Sequence, residues 1–167
     1  MRPAECRGLT WDQVDLEAGL IDVSWQLQAL PYKVARNRAS GFKVPIGFAA
    51  KHLEGRWILV RPKTASGQRM IPMAPWLIDS LLQWRDIAPV SPHGLVWSDD
   101  GHPMDGKLDR AMWVDICAAA GISPCDLYSA RHTTATILRE AGVADEIIIQ
   151  IVGHSSIHST RPYIHVR

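Results

Sequence analysis

The apolar positions change period near residue 74. Ahead of that point they alternate. Leu20-Ile21-Asp22-Val23-Ser24-Trp25-Gln26 is an alternating, β-branched run and predicts a strand. Trp57-Ile58-Leu59-Val60 predicts a second strand and Arg69-Met70-Ile71-Pro72-Met73 a third, with the turn residues Thr64-Ala65-Ser66-Gly67-Gln68 between them. Together they predict a small antiparallel sheet with Lys63 at the lip of a hairpin. Residues 27–55 carry Pro31, Gly41, Pro45 and Gly47, and support only a loop or an irregular hairpin. Arg2-Pro3-Ala4-Glu5-Cys6-Arg7 reads as the end of a helix already under way.

After Pro75 the period is helical. Leu77, Leu81, Trp84 and Ala88 share one face, with proline suited to the first turn. Leu108, Met112, Ile116 and Ala119 mark a helix begun near Asp105. Leu127, Ala130, Thr134, Ile137 or Leu138, and Ala141 mark another, closed by Gly142. Residues 145–152 form a short apolar helix ended by Gly153, and Leu95-Val96-Trp97 is a short extended piece. The predicted class is α+β, mostly helical: a small antiparallel sheet followed by a helical half.

Composition narrows this further. A length of 167 residues suits one domain, and 47% hydrophobic with 21% charged residues excludes a disordered chain. Cys6, Cys117 and Cys125 are odd in number and follow no CxxC spacing, which disfavours a disulfide scaffold or a zinc finger and fits a reducing cytosol. No stretch approaches about 18 apolar residues, so a soluble intracellular protein is expected. The net charge of +1 hides a strong asymmetry. Residues 31–69 carry nine basic side chains against Glu54 alone, between two acidic segments. This strip suits a polyanion, and Lys33, Arg36, Arg38, Lys43, Arg61 and Arg69 are its candidate DNA-binding residues. The histidines lack metal-ligand spacing, so neither metal nor cofactor is expected.

Five short motifs stand in order. They are Arg2-Pro3-Ala4-Glu5 with Leu9-Thr10-Trp11-Asp12-Gln13-Val14-Asp15, Pro62-Lys63-Thr64 before Arg69-Met70-Ile71-Pro72-Met73, Arg131-His132-Thr133, Gly153-His154-Ser155, and Tyr163-Ile164-His165. Any one alone is weak, and each residue taken singly has an ordinary structural reading. In this order and spacing they resemble the catalytic domain of tyrosine recombinases, most closely the integrases of phages and mobile elements. The resemblance covers nearly the whole chain.

The resemblance implies a chemistry that these side chains suit. Tyr163 would be the nucleophile that holds the DNA phosphate as an ester. Arg2 and Arg131 would clamp the non-bridging oxygens, where negative charge gathers in the transition state. His154 would hydrogen-bond the same phosphate, and Lys63 would protonate the departing 5′-oxygen. The 3′-phosphotyrosyl bond conserves the energy of the broken linkage, so strands are religated and no ATP is needed. The implied partners are duplex DNA attachment sites and further copies of the protein, a tetramer on DNA for the full-length molecule. The implied location is the bacterial or phage-infected cytoplasm. Glu5 is read as orienting an arginine, and His132 as bonding within the core.

Two departures from the family pattern stand out. Tyr128, in Tyr128-Ser129-Ala130-Arg131, occupies a position where the family usually has histidine. A phenol with a reference pKa near 10 is a poor base at neutral pH, so Tyr128 is expected to donate to the phosphate or to position Arg131. The chain also begins one residue before the first catalytic arginine. It is therefore expected to be a partial catalytic domain, without the DNA-clamping domain and the first catalytic-domain helices. The alternative function is a catalytically inactive remnant that only binds DNA or associates with itself.

Overall fold

A computed structural model describes residues 1–44, 47–62 and 67–153. In chain order it contains α1 (Pro3–Arg7), a single 3-10 turn at Trp11–Gln13, β1 (Val14–Asp15), β2 (Leu20–Val23), β3 (Gln26–Ala29), β4 (Tyr32–Val34) and β5 (Asn37–Phe42). Then follow β6 (Ala50–His52), β7 (Trp57–Val60), β8 (Arg69–Pro72), α2 (Pro75–Ile87), β9 (Ser98–Asp99) and β10 (His102–Pro103). Helices α3 (Gly106–Ala119), α4 (Leu127–Glu140) and α5 (Asp145–Val152) complete the described part.

The strands form separate antiparallel sheets. One has the order β1-β2-β8 and another β3-β7-β6, while β4-β5 and β9-β10 are two-stranded. The expected strand over residues 20–26 is thus divided, because the chain changes sheet at Ser24-Trp25. Burial of every second residue continues through the change: Ile21, Val23, Trp25 and Leu27 are all buried. The expected hairpin between β7 and β8 does not form as a pair. β7 joins β3 and β6, and β8 joins β2. The segment read as a loop or irregular hairpin holds the β4-β5 hairpin and β6.

The helices follow their sequence signals. Pro75 stands in the first turn of α2, where its missing N–H costs no hydrogen bond. Asp105 caps α3 by accepting from the Lys107 amide, and Asp126 caps α4 by accepting from Ser129. Gly153 ends α5 in the left-handed conformation, with φ of 73°.

Three buried clusters hold these parts. Leu9, Ile21, Val23, Met73, Leu81 and Val96 join the first sheet to α2. Trp25, Leu27 and Leu59 pack the second sheet, and Ala135, Ile148 and Val152 join α4 to α5. Trp84 stacks on Trp97 and donates its Nε1 hydrogen to the Val96 carbonyl at 2.7 Å, so this pair is core structure. The N-terminal segment is tied in by backbone pairing of Leu9–Trp11 with Gly94–Val96.

Gly8 lets α1 lie directly on β3. A Cβ there would stand 2.6 Å from the Leu27 amide nitrogen, and backbone cannot move aside as a side-chain tip can. Gly8→Ala is therefore expected to cost about 1–3 kcal/mol, the usual penalty of overpacking. Urea unfolding of the two proteins measures this, and an unchanged midpoint would show that α1 is not seated on the strand.

Candidate active site

The first helix brings Glu5 into the interior, where it is 1% exposed. A buried carboxylate needs partners, and Glu5 has four hydrogen bonds. Its Oε1 accepts from Arg2 Nη1 at 2.7 Å and Arg69 Nη1 at 3.2 Å. Its Oε2 accepts from Arg69 Nη2 at 2.9 Å and from the backbone amide of Arg2 at 2.6 Å. Burial pushes the Glu5 carboxyl up, but the bonds from Arg69 and from the Arg2 backbone outweigh it and hold the pKa at about 2.

Both arginines also reach the C-terminal end of α5. Arg2 Nη2 donates to the Gly153 carbonyl at 2.8 Å, and Arg69 Nε donates to the Ile151 carbonyl at 2.9 Å. These are the carbonyls a helix end leaves unpaired, and they carry the negative end of its dipole. Gly153 is required twice over: its φ is 73°, and a Cβ there would meet the Arg69 guanidinium at 2.8 Å. Arg69 Nη1 further donates to the Gly67 carbonyl at 3.2 Å. Gly67 in turn approaches Pro62 so closely that a Cβ would lie 2.3 Å from the proline Cβ.

Arg131 completes the cluster from α4. It is 6% exposed, and among the described residues nothing accepts from its buried Nη1. Burial lowers its pKa to about 10, helped by the charge of Arg2 and, more weakly, Arg69, against the raising effect of Glu5. It still carries its proton at neutral pH. Two guanidiniums share the Glu5 carboxylate and a third, Arg131, lies within reach of its charge, so the arrangement retains an excess of positive charge. A buried, charged guanidinium with a donor that no described residue meets suits an anionic partner.

The other expected residues separate into groups. Tyr128 lies on α4 three residues before Arg131, half exposed, with its ring 6.5 Å from that of His132. Lys33, Arg36 and Arg38 are exposed on the β4-β5 hairpin, with Arg36 at its turn at φ of 60°, and Lys43 is exposed just beyond it. Arg61 lies 4.9 Å over the Trp25 ring, which Lys51 also approaches at 4.6 Å, and its Nη1 donates to Gln68. Arg69 stands apart from that strip, with its side chain 7% exposed and directed at Glu5. It shares its face of β8 with Ile71, while Met70 and Pro72 are exposed, and the unbroken non-polar run from Met70 to Met73 carries no signal of that direction in sequence. Lys63, His154 and Tyr163 lie outside the described residues. Among the described residues no group of three or more His, Cys, Asp or Glu could hold a metal, and no helix is long and apolar enough to cross a membrane.

Comparison with known proteins gives consistent relatives. The sequence profile of the phage integrase family matches residues 1–167. An integrase of Saccharopolyspora erythraea is 30% identical over 67% of this chain and 28% of its own length. A tyrosine recombinase XerC of Corynebacterium efficiens is 30% identical over 59% of this chain and 33% of its own. The chain thus matches a third or less of these relatives. Among solved structures, the Tn1549 transposon integrase in complex with transposon right end DNA aligns with a TM-score of 0.74. That match has 22% identity and covers 100% of this chain and 51% of the other. The XerA recombinase aligns with a TM-score of 0.68 at 20% identity, over 98% of this chain and 47% of the other. These likenesses show the fold.

The low pKa of Glu5 makes a testable link between pH and stability. The folded value of about 2 lies below the ordinary 4.5, so the contribution is fully present above pH 4.5 and is lost as pH falls toward 2. Its size is about 3 kcal/mol. Glu5→Gln, which leaves three guanidiniums without a counter-charge, is expected to destabilise by about 3–5 kcal/mol at neutral pH. Thermal melts of both proteins from pH 7 to pH 3 should show the gap narrowing below pH 4.5. A gap that stays constant would contradict the geometry described.

Proposed function

The chain belongs to the phage integrase family, and on that premise we propose that it is catalytic-domain sequence of a tyrosine recombinase. It cuts and rejoins duplex DNA through a 3′-phosphotyrosyl intermediate. The observation that carries this reading is Arg131: a buried guanidinium with an unpaired Nη1, beside Arg2, in a cluster with surplus positive charge. A DNA phosphodiester supplies the missing anion.

The reaction follows from that clamp. The phenolic oxygen of Tyr163 attacks phosphorus as its proton passes to water, and the 5′-oxygen leaves with a proton from Lys63. Arg2 and Arg131 hold the non-bridging oxygens while charge accumulates on them, and His154 donates to the same phosphate. Glu5 fixes the Arg2 guanidinium by two contacts on one carboxylate, its side chain and its own amide. Tyr128, on the same helix as Arg131 and half exposed, donates to the phosphate or positions Arg131. Attack of a free 5′-hydroxyl on the phosphotyrosine reverses these steps and joins the strands.

The basic hairpin residues Lys33, Arg36 and Arg38, together with Lys43, extend the contact to flanking phosphates. The DNA named with the Tn1549 neighbour supports duplex DNA as the partner. Copies of the full-length protein assemble as a tetramer on DNA in the cytoplasm of a bacterial or phage-infected cell.

The test is covalent trapping on nicked duplexes drawn from the DNA that flanks the chain's own gene. The native chain should form a protein–DNA adduct that resists denaturant, and Tyr163→Phe should form none while still binding DNA. An adduct formed by the Phe variant, through Tyr128 or Tyr32, would overturn the assignment of the nucleophile.

A further inference from the structure

Two thiols meet between α3 and α4, away from the Glu5 carboxylate. Cys117 stands in the last turn of α3 and is 3% exposed. Cys125 lies partly exposed in the irregular segment just ahead of α4. Both are free thiols, and their sulfurs are 4.0 Å apart. The approach is held by the surrounding backbone. Trp113 Nε1 donates to the Cys125 carbonyl at 2.9 Å, and the Ile122 amide donates to the Cys117 carbonyl at 2.9 Å. The segment therefore folds back on α3 and keeps the two side chains facing.

A disulfide needs its sulfurs about 2 Å apart, so the pair is about 2 Å short of bonding distance. The side chains can rotate, and the intervening residues 118–124 are all exposed, with Gly121 at φ of 67° in the turn. Nothing packed lies in the way of that adjustment within the segment itself. The two cysteines also differ in access, which fixes the order of events. Burial, together with the neighbouring Cys125 thiol, pushes the Cys117 thiol up, and Cys125 is the more exposed residue of the two.

We propose that Cys117 and Cys125 are a redox site, closed to an intramolecular disulfide by exchange with a small-molecule disulfide of the glutathione type. The Cys125 thiolate attacks one sulfur of the small disulfide, forming a mixed disulfide and expelling one small thiolate. The Cys117 thiolate then attacks the Cys125 sulfur and expels the second. Two protein thiols are oxidised, one small disulfide is reduced to two thiols, and the protons lost by the cysteines end on them. The bond tethers the end of α3 to the start of α4. Cys125 directly precedes Asp126, whose carboxylate caps α4, and that helix carries Tyr128 and Arg131. Thiol chemistry is thus coupled to the helix that supplies the buried guanidinium, whether or not the chain cleaves DNA.

The test treats the native chain with excess oxidised glutathione, then denatures it, alkylates it and maps the peptides by mass. The expected product has lost two hydrogen atoms, links the Cys117 and Cys125 peptides, leaves Cys6 open to alkylation, and returns to the starting mass with a dithiol reductant. Cys117→Ser should arrest at a stable mixed disulfide on Cys125, because the resolving thiol is gone. Cys125→Ser should leave Cys117 unmodified in the folded protein. A native chain that keeps glutathione on Cys125, pairs Cys6 with either cysteine, or stays fully reduced would overturn the proposal. The native map requires no variant to fold.

Discussion

One buried carboxylate joins the two ends of the described chain. Glu5 receives Arg2 and Arg69, and each arginine continues to a carbonyl at the end of α5, so α1, β8 and α5 meet around a single acidic group. Residues 2 and 153 are held together across 151 positions of sequence by this means. Taking an ion out of water is costly, and the cost is offset here because every oxygen of Glu5 is doubly bonded by cations or a backbone amide. Removal of the carboxylate would leave the cations facing one another. The same cluster prescribes the small residues around it: Gly153 admits the Arg69 guanidinium, and Gly67 folds against Pro62 beneath it.

This arrangement is unbalanced in charge, and the imbalance is what makes it a candidate site. Arg2 and Arg69 are satisfied, while Arg131 arrives from α4 with a buried donor that no described residue meets. Arginine suits this position because it keeps its proton even when burial lowers its pKa to about 10. The described fold therefore holds a fixed positive charge there, which is the arrangement that the proposed transition-state stabilisation requires.

Much of the helical half was legible because its signals are local. Periodic apolar positions, Asp105 and Asp126 before their helices, and Gly153 after α5 act over a few residues, and the structure places the helices where those signals fall. The strands were legible as segments, but their partners were not. β3 pairs with β7, about 30 residues later, and β2 with β8, about 50 later, and no local pattern specifies such pairings. The change of sheet at Ser24-Trp25 is hidden in sequence because apolar and polar residues alternate straight through it, from Ile21 to Leu27. Within the site, Arg2, Glu5 and Arg131 were legible from motif order. Arg69 was grouped with the exposed basic residues because a charge count along the sequence does not distinguish inward from outward faces. Its contact with Glu5 spans 64 positions and is a property of the fold.

The proposed phosphate clamp depends on Arg131 being buried and charged with an Nη1 that no described residue occupies. Arginine-selective nitrogen NMR, following guanidinium signals as a phosphodiester dinucleotide is added, tests it most directly. The account predicts a saturable shift of the Arg131 signal, while that of Arg69, occupied by Glu5 and Ile151, stays in place. A response confined to the exposed arginines of the β4-β5 hairpin, with Arg131 silent, would contradict it.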